Sequence, residues 1–201
     1  MMDESKRRTI QTYQDKATEL AAYFDTVGLR EPDIARAFSF ISSKNPRVVE
    51  IGCGNGRDAA IILKYTKNYL GFDISEGMIK LARKSNPSGS FIVADVENYD
   101  FEKNIDIVFT FASLLHSPRE SVKTIFERIY SALNPGGIVA ILLKQAPYEA
   151  IPKEDAFGWR MFYYYEPKDI LELAGDSFTQ VSLEQQPSGN TSWFSMILRK
   201  R

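Results

Sequence analysis

The sequence predicts an α/β fold in which a mostly parallel sheet, covered by helices, finishes in an antiparallel hairpin. Short β-branched or apolar runs alternate with stretches of helical periodicity from residue 47 to residue 143, the pattern of repeated βαβ units. The first of these runs ends in Gly52-Cys53-Gly54-Asn55-Gly56 and leads into a helix-like segment, so a strand drives into a tight turn and out into a helix. Near the end, Phe178–Glu184 and Ser192–Leu198 are joined through Pro187-Ser188-Gly189-Asn190, a connection that only an antiparallel pair can use.

Taken in order, Tyr13, Ala17, Leu20, Ala21 and Phe24 recur on one face and predict a single helix stopped at Gly28. Glu31-Pro32-Asp33 starts another, with Pro in its first turn. The first strand runs from about Arg47 to Ile51, and Ala59, Ala60, Ile62 and Leu63 follow on a helix. The second strand, Tyr69–Phe72, ends at Asp73, and Ser75 caps the next helix. The third strand, Ser90–Ala94, ends at Asp95. The fourth, Ile105–Phe111, is nearly continuous in apolar residues, as a strand buried on both faces must be. Ser117-Pro118-Arg119-Glu120 reads as a capping box ahead of the stripe Val122, Ile125, Phe126, Ile129, Tyr130 and Leu133. Asn134-Pro135-Gly136-Gly137 breaks that helix before the fifth strand, Ile138–Leu143, and a last helix spans Pro167–Ala174 before Gly175. No linker separates two cores, so residues 1–201 read as one domain.

The chain has 201 residues, a net charge of −1 and 44% hydrophobic residues. That charge disfavours a nucleic-acid partner, and the basic clusters Lys6-Arg7-Arg8 and Arg199-Lys200-Arg201 read as solvated termini. A lone cysteine, Cys53, excludes an intrachain disulfide and a cysteine-based metal site. With no signal-like or membrane-spanning run, the expectation is a cytoplasmic, monomeric or weakly dimeric protein without membrane contact and without a metal.

In an open α/β sheet, ligands bind beyond the carboxyl ends of the strands. The glycine turn, Asp73 and Asp95 all fall there, and a carboxylate about 20 residues past the glycines suits a ribose hydroxyl pair. No P-loop string is present. The dinucleotide fingerprint needs a third glycine where Arg57 stands. Glu50, just before the turn, would repel a pyrophosphate and tolerate a cationic sulfonium or ammonium group.

These residues resemble the class I S-adenosylmethionine-dependent methyltransferases. Glu50–Gly56 is similar to that family's first motif, Gly71–Ser75 to its ribose-binding strand end, and Ala94-Asp95-Val96 to its adenine-binding motif. The stretch from Asp106 to His116 is similar to its fourth motif, and Leu133–Gly137 to its turn before strand five. The resemblance implies a Rossmann-like, doubly wound, seven-stranded sheet, mostly parallel with an antiparallel C-terminal hairpin strand. It divides the chain into N-terminal helices covering the site (1–45), a cofactor-binding core (46–145), and a substrate-side loop, last helix and hairpin (146–201). It implies S-adenosyl-L-methionine as cofactor, with Gly52 and Gly54 beside its methionine part and Glu50 and Cys53 alongside. Asp73 with Ile74 would bind the ribose, Asp95 with Val96 the adenine, Phe111 the amino group, and Tyr13 would cover the cofactor.

His116, the only histidine, follows strand four and is a candidate general base. The aromatic segment Ala156–Tyr165, with Trp159, Arg160 and Tyr163, is the candidate substrate lining. The strand-four end lacks the Asn/Asp-Pro-Pro-aromatic motif of amino-methylating nucleic-acid enzymes, which favours a small-molecule acceptor. The rival readings are an NAD-dependent oxidoreductase and a non-catalytic binding module on the same fold.

Overall fold

The computed structural model describes residues 3–28, 30–188 and 191–201, with backbone alone at 186–188. Helix α1 (Glu4–Asp15) is capped by Asp3, whose carboxylate accepts from the Ser5 and Lys6 amides, and α2 (Ala17–Thr26) follows directly. The expected single helix is therefore two. Lys16 leaves the helical region at φ −111°, ψ 21°. The reason is the neighbour beneath: Gln14 accepts from the Gly77 amide (3.2 Å), and the Ser75 hydroxyl donates to the Tyr13 carbonyl (3.2 Å). The end of α1 thus sits on the start of another helix, and the apolar stripe continues across the bend, burying Ala17 and Leu20 against Met78.

Helix α3 (Glu31–Ser39) has Pro32 in its first turn. Strand β1 (Val48–Ile51), α4 (Ala59–Tyr65) and β2 (Tyr69–Asp73) follow. Helix α5 (Glu76–Ser85) is capped by the Ser75 side chain as expected. Strands β3 (Ser90–Val93) and β4 (Ile105–Phe111) precede α6 (Arg119–Ala132). The expected capping box at Ser117 is not made: Pro118 is the cap residue and no side chain caps it. The Ser117 amide, which the box would use, donates to the Leu114 carbonyl at 3.0 Å, and the Ser117 carbonyl accepts from the buried Tyr165 hydroxyl at 2.6 Å.

Strand β5 (Leu133–Gln145) begins before the expected break. Its pairing with β4 jumps from Ile105↔Leu133 to Ile107↔Ile138, so Asn134–Gly137 is an irregularity inside the strand, turned by Gly136 at φ 77°. The aromatic segment is a separate two-stranded hairpin, β6 (Glu149–Asp155) with β7 (Gly158–Tyr164). Helix α7 (Pro167–Ala174) carries a reciprocal cap between Glu166 and Asp169. Strands β8 (Phe178–Ser188) and β9 (Thr191–Lys200) complete the chain; the Gly189-Asn190 tip of their predicted turn lies outside the described residues.

The main sheet has seven strands in the order β3-β2-β1-β4-β5-β9-β8. Strands β1 to β5 pair in parallel, and β9 lies antiparallel between β5 and β8. This is the Rossmann-like arrangement with an inserted antiparallel strand. Alternation sorts the core: Val139, Ile141 and Leu143 pack with α6 and α7, while Ile138, Ala140 and Leu142 pack with α3 and α4. The strand order reverses between β1 and β4, which opens a crevice at their carboxyl ends.

Gly77 sets how closely α1 and α2 approach α5. A Cβ there would lie 2.8 Å from the Ala17 Cβ and 3.2 Å from the Gln14 carbonyl. Gly77→Ala is expected to destabilise by about 1 kcal/mol, overpacking outweighing the gain in helix propensity. A lowered urea midpoint at unchanged slope would show it.

Candidate active site

The crevice is a cavity of about 490 Å³ at the carboxyl ends of β1 to β4, roofed by α1, α2 and the β6–β7 hairpin. At its base the glycine turn is tied across the sheet. The Gly52 and Cys53 amides both donate to the Phe72 carbonyl, at 2.8 and 3.0 Å. Gly52, Gly54 and Gly56 all have positive φ (68°, 55° and 77°), where L side chains are disfavoured. Gly54 faces open space, so a ligand can lie against bare backbone.

Asp73 lines the cavity and already holds structure together: one oxygen accepts from the Gly54 amide (3.0 Å), the other from the Ser75 amide (2.8 Å). Burial raises its pKa, opposed by these backbone bonds. Each oxygen retains a lone pair for a ribose hydroxyl. Asp95 and Val96 line the cavity beyond it. Lys6 reaches Asp95 and Glu97, each at 2.7 Å. The cluster read as a solvated terminus is thus in part a clasp between α1 and the end of β3.

Phe111 ends β4 and lines the cavity. Ala112 next to it has φ 53°, a strained conformation for a side-chain-bearing residue, and its amide donates to the Leu142 carbonyl (2.8 Å). This turn aims Ser113 at Gly52, with the Ser113 and Thr110 hydroxyls 2.9 Å apart. Neither residue carries a sequence signal of its role. Arg30, also unsignalled, lines the cavity near the glycine turn and pairs with the buried Asp58 at 2.5 Å.

Tyr13 and His116 meet inside the cavity, with Tyr13 Oη 2.9 Å from His116 Nε2. His116 Nδ1 lies 2.6 Å from the Met161 carbonyl. A carbonyl only accepts, so Nδ1 carries the proton and Nε2 accepts from the tyrosine. Burial pushes the His116 pKa down to about 4, and the nearby Arg160 and Lys144 charges add to this; burial pushes Tyr13 up to about 12. In this state both nitrogens are engaged and His116 is a neutral bridge between α1 and β7, a poor proton acceptor. Since its folded pKa lies below the unfolded value of 6.5, it binds protons more readily when unfolded. Its contribution to stability is complete above that value and is lost as pH falls toward about 4. The drop in urea midpoint from pH 7 to pH 5 is expected to be smaller in His116→Gln than in the parent.

Three expected site residues do not reach the cavity. Glu50 is 2% exposed beneath the glycine turn, where the Tyr69 hydroxyl donates to it at 2.5 Å. Burial, with the Asp58 charge, raises its pKa well above the usual carboxylate range, so the charge expected to repel a pyrophosphate is weakened. Trp159 and Tyr163 lie on the face of β7 opposite to Arg160 and Phe162, which do line the cavity. Trp159 instead stacks under Arg8, 4.2 Å from its guanidinium carbon, and its carbonyl accepts from Thr12 at 2.6 Å. The other expected residues, Tyr13, Gly52, Cys53, Gly54, Asp73, Ile74, Asp95, Val96, Phe111, His116 and Arg160, are brought together around the one cavity. Lys144 and Lys153 also line it. The first had a signal in sequence, being the cation that ends the apolar run Ile138–Leu143.

The glycine turn and the two strand-end aspartates share one cavity at the switch point of the sheet, where open α/β folds take their ligands. Residues 48–137 match the family model described as a methyltransferase domain. The trans-aconitate 2-methyltransferase of Escherichia coli O139:H28 is 33% identical over 162 residues, which is 70% of this chain and 62% of that enzyme. Among solved structures, the 1,6-didemethyltoxoflavin-N1-methyltransferase of Burkholderia thailandensis is similar over 100% of this chain and 91% of its own, at a TM-score of 0.76 and 18% identity. A SAM-dependent methyltransferase from Methanosarcina mazei is similar over 81% of this chain and 95% of its own, at a TM-score of 0.71 and 17% identity. Residues 48–137 are thus similar to a methyltransferase domain, and the chain has the fold of solved S-adenosylmethionine-dependent methyltransferases.

The residues present fit that family's cofactor. Gly54 leaves room at the backbone, Asp73 and Asp95 offer acceptors to a nucleoside, and Arg30 sits where an amino-acid carboxylate can meet a cation. Among the described residues there is no group of His, Cys, Asp and Glu side chains able to hold a metal ion, and no helix long and apolar enough to cross a membrane.

Proposed function

We propose that this chain transfers the methyl group of S-adenosylmethionine to a small-molecule acceptor by in-line displacement. The observation that carries the reading is that the glycine turn, Asp73, Asp95 and the Tyr13–His116 pair share one cavity under a helical and β-hairpin roof. The cavity, at about 490 Å³, is of the size of small-molecule sites. The chain spans 62% of the length of its curated relative, whose name gives trans-aconitate, a small molecule, as that enzyme's acceptor.

S-adenosylmethionine supplies a methyl carbon already activated by its sulfonium, so the protein's task is alignment in a dry site. Asp73 and Asp95 orient the nucleoside, and Gly52 and Gly54 admit the methionine part. Tyr13 and His116 lock α1 to β7 and exclude water from above. His116 stays neutral from pH 6 to 8 by virtue of a pKa of about 4, so no ionisation of that residue shapes the rate over this range. The dinucleotide reading is disfavoured by Arg57, whose side chain donates to the Phe24 carbonyl at 2.5 Å where the third glycine of that fingerprint would stand. Calorimetry with S-adenosylhomocysteine and with NADH separates the two: saturable binding of the first alone is expected, and binding of NADH alone overturns the reading.

A further inference from the structure

The charges around the cavity are sorted. At the nucleoside end the carboxylates Asp73, Asp95 and Glu97 face a single cation, Lys6. Beside the glycine turn, Arg30 and Arg57 stand against Asp58. On the far side, Lys144 from β5, Lys153 from β6 and Arg160 from β7 come together with one carboxylate, Asp155. That carboxylate is committed to Arg160, at 2.5 Å.

The three cations surround one ring. Lys144 Nζ, Arg160 Cζ and Lys153 Nζ lie 5.3, 5.3 and 5.9 Å from the centre of Phe162. Lys144 Nζ is also 5.7 Å from the Trp193 ring. Neither lysine makes an ion pair among the described residues. Arg160 is 7% exposed, and its Nε has no hydrogen-bond partner. An unpartnered buried donor on a paired guanidinium costs free energy unless something outside the chain accepts from it. The Lys144 ammonium is held below its ordinary pKa by burial and by the positive charges of Lys153 and Arg160. The chain has placed three like charges together on an aromatic wall and has paired only one of them, Arg160, with a carboxylate.

We infer that this wall binds the methyl acceptor through an ionised oxygen group, so that the acceptor is a small anion bearing a carboxylate or a phosphoryl group. The inference rests on the methyl-transfer reading and names its substrate class. Arg160 offers Nε to the anion while its terminal nitrogen stays on Asp155. The two lysines close on it from β5 and β6, with Phe162 and Trp193 flanking its carbon skeleton. Ammonium and guanidinium cations are repelled by the same arrangement, which excludes basic acceptors.

Trp193 sits on the wall and reports on it. In the full chain saturated with S-adenosylhomocysteine, tryptophan fluorescence is titrated with aliphatic di- and tricarboxylates, with their amides, with alkyl phosphates and with alkyl amines. Methylation of the same compounds is followed with a radiolabelled donor. Carboxylates or phosphates are expected to bind and accept methyl at millimolar concentration or below, and whichever binds more tightly identifies the group. Lys144→Met and Lys153→Met are each expected to raise the anion's Kd and KM roughly 10- to 100-fold, the range for a lost charge-assisted hydrogen bond, while the Kd of S-adenosylhomocysteine stays within about twofold. Amides or amines binding as well as the anions, no anion binding at all, or unchanged anion affinity in both variants would overturn the inference. Failure of S-adenosylhomocysteine itself to bind would instead overturn the methyl-transfer reading on which it rests.

Discussion

Gly52→Ala is expected to destabilise the protein by about 2–5 kcal/mol, from two causes that add. Its φ of 68° is left-handed, which costs a side-chain-bearing residue about 1–2 kcal/mol. A Cβ at this position would also lie 2.4 Å from the Ser113 Cβ, an overpacking that costs about 1–3 kcal/mol. Ser113 has no easy retreat, since its hydroxyl is against Thr110 at 2.9 Å and the turn at Ala112 holds its backbone. Gly54→Ala is the control. Its φ is 55° but nothing lies within 4 Å of the added carbon, so only the conformational cost of about 1–2 kcal/mol remains. Urea denaturation of both variants, and of Gly52→Ala combined with Ser113→Gly, measures the difference. The double variant should recover part of the loss. Equal losses for Gly52→Ala and Gly54→Ala, with no recovery, would remove Ser113 from the account.

Asp73→Ala is expected to weaken S-adenosylhomocysteine binding by roughly 10- to 100-fold or more. Two effects converge. The variant loses the acceptors for the ribose, and it strands the Gly54 and Ser75 amides that Asp73 now receives at 3.0 and 2.8 Å. Each buried donor left without a partner costs about 1–3 kcal/mol. The glycine turn and the start of α5 should therefore loosen even without ligand, and the thermal midpoint should fall as well. Asp73→Asn keeps one acceptor oxygen and is expected to lie between the parent and the alanine variant in both measurements. Calorimetry that returned an unchanged affinity for Asp73→Ala would take Asp73 out of the cofactor site.

Much of the core was legible because its signals are local. A β-branched run, three alternating glycines and a helical stripe describe one chain segment, and the strand-end aspartates follow at spacings set by the βαβ unit. The tail was legible from its turn, since two strands so close in sequence pair only antiparallel. The bend at Lys16 was not legible. The stripe from Tyr13 to Phe24 keeps helical spacing on both sides of it, and the cause is a hydrogen bond from Gly77, 63 residues away. The unused capping box at Ser117 was not legible either: the short helical turn Leu114–His116 takes up the Ser117 amide, which donates to the Leu114 carbonyl at 3.0 Å and leaves Glu120 no amide there to accept from.

The cavity divides along the same line. Sequence motifs placed the glycines, Asp73 and Asp95 because each sits at the end of its own strand. Which face of β7 turns inward was invisible in the sequence, because both faces carry large aromatic side chains and the one charge, Arg160, lies on the face that turns in; Arg160 and Phe162 face the cavity, and Trp159 and Tyr163 do not. Glu50 was drawn to the site by adjacency, yet alternation along β1 turns it under the glycine turn and onto Tyr69.

By itself, then, the sequence determined the sheet, the turn and the nucleoside end of the cavity, because hydrophobic period, glycine and strand-end acids act within a few residues of themselves. Only the tertiary structure decided how the β6–β7 hairpin joins the roof of that cavity and what charge it brings there. Lys144, Lys153 and Arg160 stand on three strands, and none of them singly marks an anion site. Their shared net positive charge exists only once β6 and β7 fold back over the end of β5, since Coulombic interaction depends on separation in space and takes no account of separation along the chain.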